Sequence, residues 1–184
     1  MGTKELLRSV SQEITDTVAR VAPEQLTALV EAVLRANRVF VCGAGRSLLM
    51  MQAFAMRLMH VGLHAYVVGE TITPAITRGD LLIAASGSGQ TRVTLATVEA
   101  AAARGADTAV FTAHAGSPLA QVVDLVIEVP APVTGAPLPA GSSQVPGTLF
   151  EQCVLVIGDA LTVELMARLG TTVAEMRARH TKLE

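Results

Sequence analysis

The chain has 184 residues, of which 51% are hydrophobic and only 16% charged, with a positive mean hydropathy and a formal net charge of -2. That composition excludes a disordered chain. Fourteen basic residues against sixteen acidic ones, with no basic block, exclude an electrostatic surface for nucleic acid. No stretch reaches the roughly 18 uncharged apolar residues of a membrane span, and the first residues lack a secretory apolar core. A cytoplasmic protein without nucleic-acid or membrane partners is therefore expected, one domain over 1–184 that buries part of its apolar excess in subunit contacts.

From the N-terminus, Leu6, Leu7, Val10, Ile14, Val18 and Val21 recur at helical spacing, Pro23 interrupts, and Leu26, Leu29, Val30, Val33 and Leu34 resume the pattern. Residues 3–36 thus form a helical N-terminal region. Arg38 to Gly43 reads as a first strand, Gly43-Ala-Gly45-Arg46-Ser47 as a loop, and Leu48 to Val61 as an amphipathic helix. His64 to Val68 is a short second strand and Gly69-Glu70-Thr71-Ile72-Thr73-Pro74 a polar loop. Leu81 to Ala85 is a third strand, Thr91 to Arg104 a helix capped by Gly105, Thr108 to Thr112 a fourth strand and Leu125 to Val129 a fifth.

Strands that alternate with helices predict an α/β fold, a three-layer αβα sandwich around a five-stranded parallel sheet spanning 38–129. Ala131 to Gly147, with four prolines and three glycines, is an irregular loop. The C-terminal helices occupy 147–180, a long apolar one from Leu149 to Leu169 and a short one that follows Gly170. Cys42 in the first strand and Cys153 in the long helix lie among apolar neighbours and read as reduced, buried thiols. Met50, Met51, Met56 and Met59 read as packing on one helix.

Two loops carry chemistry. Ser86-Gly87-Ser88-Gly89-Gln90-Thr91 breaks an apolar strand and opens a helix, so backbone N–H groups and the hydroxyls of Ser86, Ser88 and Thr91 converge where the helix dipole favours an anion, phosphate above all. A Ser/Gly turn with a hydroxyl N-cap explains the same residues without a ligand. Gly43 to Ser47 lies on the same edge of the sheet, beyond the carboxyl ends of the strands, where ligands of open α/β sheets sit. A dinucleotide site is disfavoured there, because Leu48 stands where the third glycine of G-x-G-x-x-G belongs.

The two glycine loops resemble those of the sugar isomerase (SIS) domain family. Further motifs are similar to its 6-phospho-3-hexuloisomerase branch: Phe54-Ala-Met-Arg57-Leu-Met-His60, Gly69-Glu70-Thr71 with Thr73-Pro74, Pro146-Gly-Thr-Leu-Phe-Glu151, and Arg179-His180. Ile72, Lys182 and the apolar run Leu48 to Met51 depart from that pattern. The resemblance implies interconversion of D-arabino-hex-3-ulose 6-phosphate and D-fructose 6-phosphate through an enediol, in a homo-oligomer, with a tetramer favoured over a dimer, coupled functionally to hexulose-phosphate synthase. Two alternatives stand beside it: a sugar-phosphate-sensing module without catalysis, and an aldose-ketose isomerase for another phosphosugar such as arabinose 5-phosphate.

The resemblance also implies site residues. Glu151 is the expected proton-transfer base, although Thr148-x-x-Glu151 equally fits a capping box. His60 and His180 are the other catalytic candidates, with helix-end and solvated-tail roles as their structural counterparts. Arg46, Ser47, Arg57, Glu70 and Thr71 join Ser86, Gly87, Ser88, Gly89 and Thr91 as substrate and phosphate ligands, and Ser47 otherwise reads as an N-cap. No His, Cys, Asp or Glu set has metal-ligand spacing, and enediol chemistry needs no cofactor, so neither metal nor cofactor is expected.

Overall fold

A computed structural model describes residues 2–133, 142 and 144–182. Helices α1 (Thr3–Val18) and α2 (Pro23–Arg35) precede strand β1 (Val39–Gly43), helix α3 (Gly45–His60), β2 (Ala65–Val67) and β3 (Leu81–Ala85). Helix α4 (Arg92–Ala102), β4 (Asp107–Thr112), β5 (Leu125–Glu128), α5 (Thr148–Leu169) and α6 (Val173–Arg179) follow. The five strands form one parallel sheet in the order β2-β1-β3-β4-β5. Of the Pro/Gly-rich loop expected at 131–147, residues 134–141 and 143 lie outside the described residues.

Strand alternation divides the core in two. Val39 and Val41 of β1, Leu81, Ile83 and Ala85 of β3 and Phe111 of β4 face one side, where they pack with Leu29 and Val33 of α2, Met51, Phe54 and Leu58 of α3, and Phe150, Ile157 and Leu161 of α5. Phe40, Cys42, Leu82, Ala84 and Val110 face the other side and meet Val98 and Ala101 of α4 with Leu119. The three layers are thus unequal: among the described residues α4 is the one helix over the second face, while α1, α2, α3 and α5 share the first. Central β3 is buried at every position, as a strand covered on both faces must be, and its sequence is accordingly a continuous apolar run.

Helices α3 and α5 make the most extensive helix–helix contact. Gly158 permits their close approach, since a Cβ there would lie 3.2 Å from Phe54 Cδ2. This packing brings the N-terminal turn of α5 beside the N-terminal turn of α3. Helix α3 itself begins at Gly45, three residues before the expected Leu48, with Ala44 as its N-cap. Gly45, Arg46 and Ser47 are therefore helical rather than a loop, and Ser47 is the third residue of the helix and not its cap.

Candidate active site at the carboxyl edge of the sheet

From β1 the chain crosses to β2 on one side, while β3 takes up the other side of β1. The connections after β1 and β3 consequently part at this point, and a crevice opens at the carboxyl ends of the two strands, the usual ligand position of an open α/β sheet. A cavity of about 250 Å³ occupies it, lined by Ser47, Gly87, Ser88, Thr91, Val133, Gly147, Phe150 and Glu151.

The Ser86 to Thr91 loop is fixed from below by β4 and the segment after it. Gly89 N–H donates to Ser86 O (3.0 Å), Ala113 N–H to Gly87 O (3.0 Å) and Leu119 N–H to Gly89 O (3.1 Å). Ser86 is buried, and its Oγ lies 3.0 Å from Thr91 Oγ1. Thr91 is the N-cap of α4 by backbone geometry, yet its hydroxyl bonds Ser86 and not the helix. Among the described residues, no acceptor meets the N–H groups of Ser88, Thr91, Arg92, Val93 and Thr94, whereas Leu95 N–H already donates to Thr91 O (2.9 Å). These free donors at the positive end of a helix dipole make an anion cradle. Glycine is required twice here: Gly89 has φ +62°, and a Cβ on Gly87 would lie 2.9 Å from Val133 Cγ1 and 3.2 Å from Phe150 Cδ1. Those two apolar side chains, which form the dry wall of the cavity, carry no polar signature in the sequence. The Pro146-Gly147 turn ahead of α5 was the available pointer to them.

Glu151 faces the cradle from the first turn of α5. The N-cap of this helix is Gly147, with φ 88°, and no side chain caps it. The capping box that Thr148 and Glu151 spell in sequence is therefore not formed, because the helix starts one residue too early for Glu151 to be its third residue. Instead, the Glu151 carboxylate accepts a hydrogen bond from Arg46 Nε at the start of α3. Among the described residues Glu151 is the one ionisable residue lining the cavity.

A family model described as SIS domain matches residues 33–149, more than half of the chain. The chain belongs to the SIS domain family. Over its length this SIS domain is 43% identical to the 3-hexulose-6-phosphate isomerase of Mycobacterium gastri, an overlap of 97% of this chain and 89% of the relative. It is 35% identical to the Bacillus subtilis protein of the same name, with 100% of both chains covered. Among solved structures it is similar to a hypothetical protein of Methanococcus jannaschii (TM-score 0.85, 31% identity, 98% of this chain and 99% of that chain), whose structure inferred a molecular function of 3-hexulose-6-phosphate isomerase.

Of the expected site residues, the fold brings Ser47, Gly87, Ser88, Thr91 and Glu151 to the cavity wall, with Ser86 and Gly89 in the cradle and Arg46 at the rim. Arg57, His60 and His180 are elsewhere. His60 is the last residue of α3, about 20 Å from Ser47 at 1.5 Å per residue. It is buried, its ring stacks on that of exposed His180 (centroids 5.2 Å apart, planes at 20°), and Arg179 donates to its carbonyl at 3.0 Å. Burial lowers the His60 pKa, and the neighbouring His180 and Arg57 lower it further. Arg57 is exposed, 4.0 Å from Asp159.

Glu70 and Thr71 are exposed in the connection after β2, and Glu70 lines a separate depression with Met56, Met59, Tyr66 and Ile72. Cys42 and Cys153 are both buried and free, as expected. Burial pushes the Cys42 thiol up to about 12 and that of Cys153 to about 11, so neither is a thiolate at neutral pH. Among the described residues no group of three His, Cys, Asp or Glu side chains is placed to hold a metal ion, and no helix is long and apolar enough to cross a membrane.

Proposed function

We propose that this SIS domain interconverts D-arabino-hex-3-ulose 6-phosphate and D-fructose 6-phosphate. The observation that carries this reading is the full-length similarity to relatives named 3-hexulose-6-phosphate isomerase, joined to a cavity in which an anion cradle faces a single carboxylate. The phosphate binds to the N–H groups and hydroxyls of 86–91. The sugar then extends past Ser47 toward Glu151, with Phe150 and Val133 excluding water from one side.

The carbonyl moves from C3 to C2 without net oxidation or reduction. Glu151 takes the proton from C2, the released electron pair forms the C2=C3 bond, and the C3 carbonyl oxygen is protonated to give the enediol. The C2 hydroxyl then loses its proton as the C2 carbonyl forms, and C3 receives a proton from the same carboxyl group. One positioned carboxylate serves both steps, as general base and then as general acid.

His60 and His180 do not reach the cavity of their own chain, so any part they take in catalysis is in the site of a neighbouring subunit. A homo-oligomer, with a tetramer favoured, is consistent with apolar side chains exposed at seven-residue spacing on the two packed helices, Leu49 and Met56 on α3 and Val156 and Val163 on α5. The oligomer operates in the cytoplasm, beside the synthase that condenses formaldehyde with ribulose 5-phosphate.

The test is exchange of the C3 hydrogen of fructose 6-phosphate and of the C2 hydrogen of the 3-ketose formed from it, followed by NMR in deuterated water, with wild type and Glu151→Gln side by side. Wild type exchanges both positions and Glu151→Gln, which keeps the shape but carries no proton, loses at least a hundredfold in turnover. Binding without exchange identifies a sensor. Turnover of arabinose 5-phosphate alone identifies a different aldose-ketose isomerase.

A further inference from the structure

Arg46 and Glu151 are 105 residues apart in sequence and belong to different helices, yet the guanidinium and carboxylate meet at the rim of the cavity. The two side chains are unequally placed: Arg46 is 56% exposed and Glu151 15%. Among the described residues Arg46 is the one side chain that hydrogen-bonds the Glu151 carboxylate. It engages a single oxygen, Oε2, through a single donor, Nε. Without this contact no hydrogen bond among the described residues fixes the terminal torsion of the glutamate, which is broad and roughly two-fold in its preferences.

We infer, on the proposed isomerase mechanism, that Arg46 is the positioning residue of Glu151. Its Nε–H immobilises Oε2, leaving Oε1 as the oxygen that exchanges protons with the sugar carbons. Arg46 is accordingly not the phosphate ligand that its place in the glycine loop suggests. Its charge is already balanced by the carboxylate, whereas the 86–91 loop and the first turn of α4 offer uncommitted donors. Arginine suits this task because Nε lies in a rigid planar fork that is pre-organised for a carboxylate. Lysine offers only a rotating point charge.

The Arg46 side chain is half in solvent, so its removal has little effect on folding. Its effect belongs in turnover, where misplacement of a reacting group by about 1 Å costs on the order of a hundredfold. Arg46→Ala is expected to keep the melting temperature of the wild type, to lose ten- to a hundredfold in kcat, and to hold KM within about twofold. Arg46→Lys recovers only part of the loss. Guanidinium ion added at millimolar concentration partly restores Arg46→Ala, because the missing donor is supplied from solution. In the Glu151→Gln background Arg46→Ala has no further effect on kcat, since it acts through the group already removed. Calorimetry of fructose 6-phosphate binding to Glu151→Gln and to the double variant gives equal affinities.

A tenfold weaker affinity in the double variant, or an Arg46→Ala enzyme with raised KM and unchanged kcat, overturns the inference and makes Arg46 a phosphate ligand. The two levels fail separately. Near-normal turnover of Glu151→Gln removes the proposed base, and Arg46 with it, while an inactive Glu151→Gln beside a normal Arg46→Ala removes the positioning role alone.

Discussion

Gly89 is the position in the anion cradle where a single methyl group does most damage. A Cβ there would lie 2.0 Å from Ser117 Oγ, 2.3 Å from Ser117 Cβ and 3.1 Å from Thr112 Oγ1. Rotation of the Ser117 side chain moves the hydroxyl but leaves its Cβ in place. Relief therefore requires the two backbones to part by more than about 1 Å before carbon atoms regain their usual separation. The loop resists that opening, being tied on both sides of Gly89 by its own N–H to Ser86 O and by Leu119 N–H to its carbonyl.

Alanine at φ +62° adds about 1–2 kcal/mol of backbone strain, and overpacking of a tight site adds about 1–3 kcal/mol. Gly89→Ala should thus lose about 2–5 kcal/mol of stability, which in a chain of this length lowers the melting temperature by roughly 5–15 °C. A cradle displaced by about 1 Å loses on the order of a hundredfold in kcat/KM. Thermal melts and isomerase kinetics measure both. The control is Ser117→Gly, which removes the two closest atoms and leaves only the strain and the 3.1 Å contact with Thr112. Gly89→Ala made in that background should cost less than half as much in melting temperature as in the wild type. Equal costs in the two backgrounds, or a Gly89→Ala protein with wild-type melting and KM, would refute the steric account of the loop.

Two further outcomes are expected. Ser88→Ala removes a cavity-lining hydroxyl that also accepts from Gln90 N–H at 3.2 Å. Loss of one hydrogen bond to a charged phosphate raises KM about tenfold and leaves kcat within about twofold in steady-state assays; a fall in kcat at constant KM would place the phosphate elsewhere. The second outcome concerns pH and the far end of α3. His60 has a folded-state pKa below its unfolded value, so at mildly acidic pH the unfolded chain binds a proton that the folded chain does not. Its neutral form supports the fold in full above the ordinary histidine value of about 6.5, and that support drains away as pH falls from there through the lowered pKa. Exposed His180 and Arg57, the charged groups that depress it, make protonation in place still less favourable. Thermal melts between pH 7.5 and 5.5 should show a smaller acid-induced decrease for His60→Gln than for wild type, and parallel decreases would exclude His60 as the group responsible.

The sheet was legible because its three central strands, β1, β3 and β4, are buried on two faces and so appear as largely apolar runs, β3 most plainly. The cradle was legible for a related reason: converging N–H groups and close backbone approach demand glycine and serine, and Ser86 to Gly89 has little else. The start of α3 was harder to see, since Gly45 and Ser47 are weak helix formers, and the packing of α3 on α5 and the sheet overrides that preference. His60 shows a different limit. Its position at a helix end followed from spacing, but which edge of the sheet that end reaches depends on the whole length of α3. The sixteen residues of α3 carry it to the edge opposite the cavity.

Glu151 is the instructive case, because its local pattern was unambiguous and still gave the wrong partner. Thr148-x-x-Glu151 is a complete capping box on paper, and a capping box needs only that its Thr be the N-cap. Gly147, in the left-handed region at φ 88°, takes that place one residue earlier. The threonine then enters the helix, Glu151 falls one position past the one that can reach back to the cap, and its carboxylate is left without a local donor. Only after that local demand disappears can a residue 105 positions away claim it. The side chain is available for chemistry because the N-cap of the helix is a glycine. A Gly147→Ala substitution that shifts the N-cap to Thr148 would draw Glu151 back to the backbone and away from Arg46.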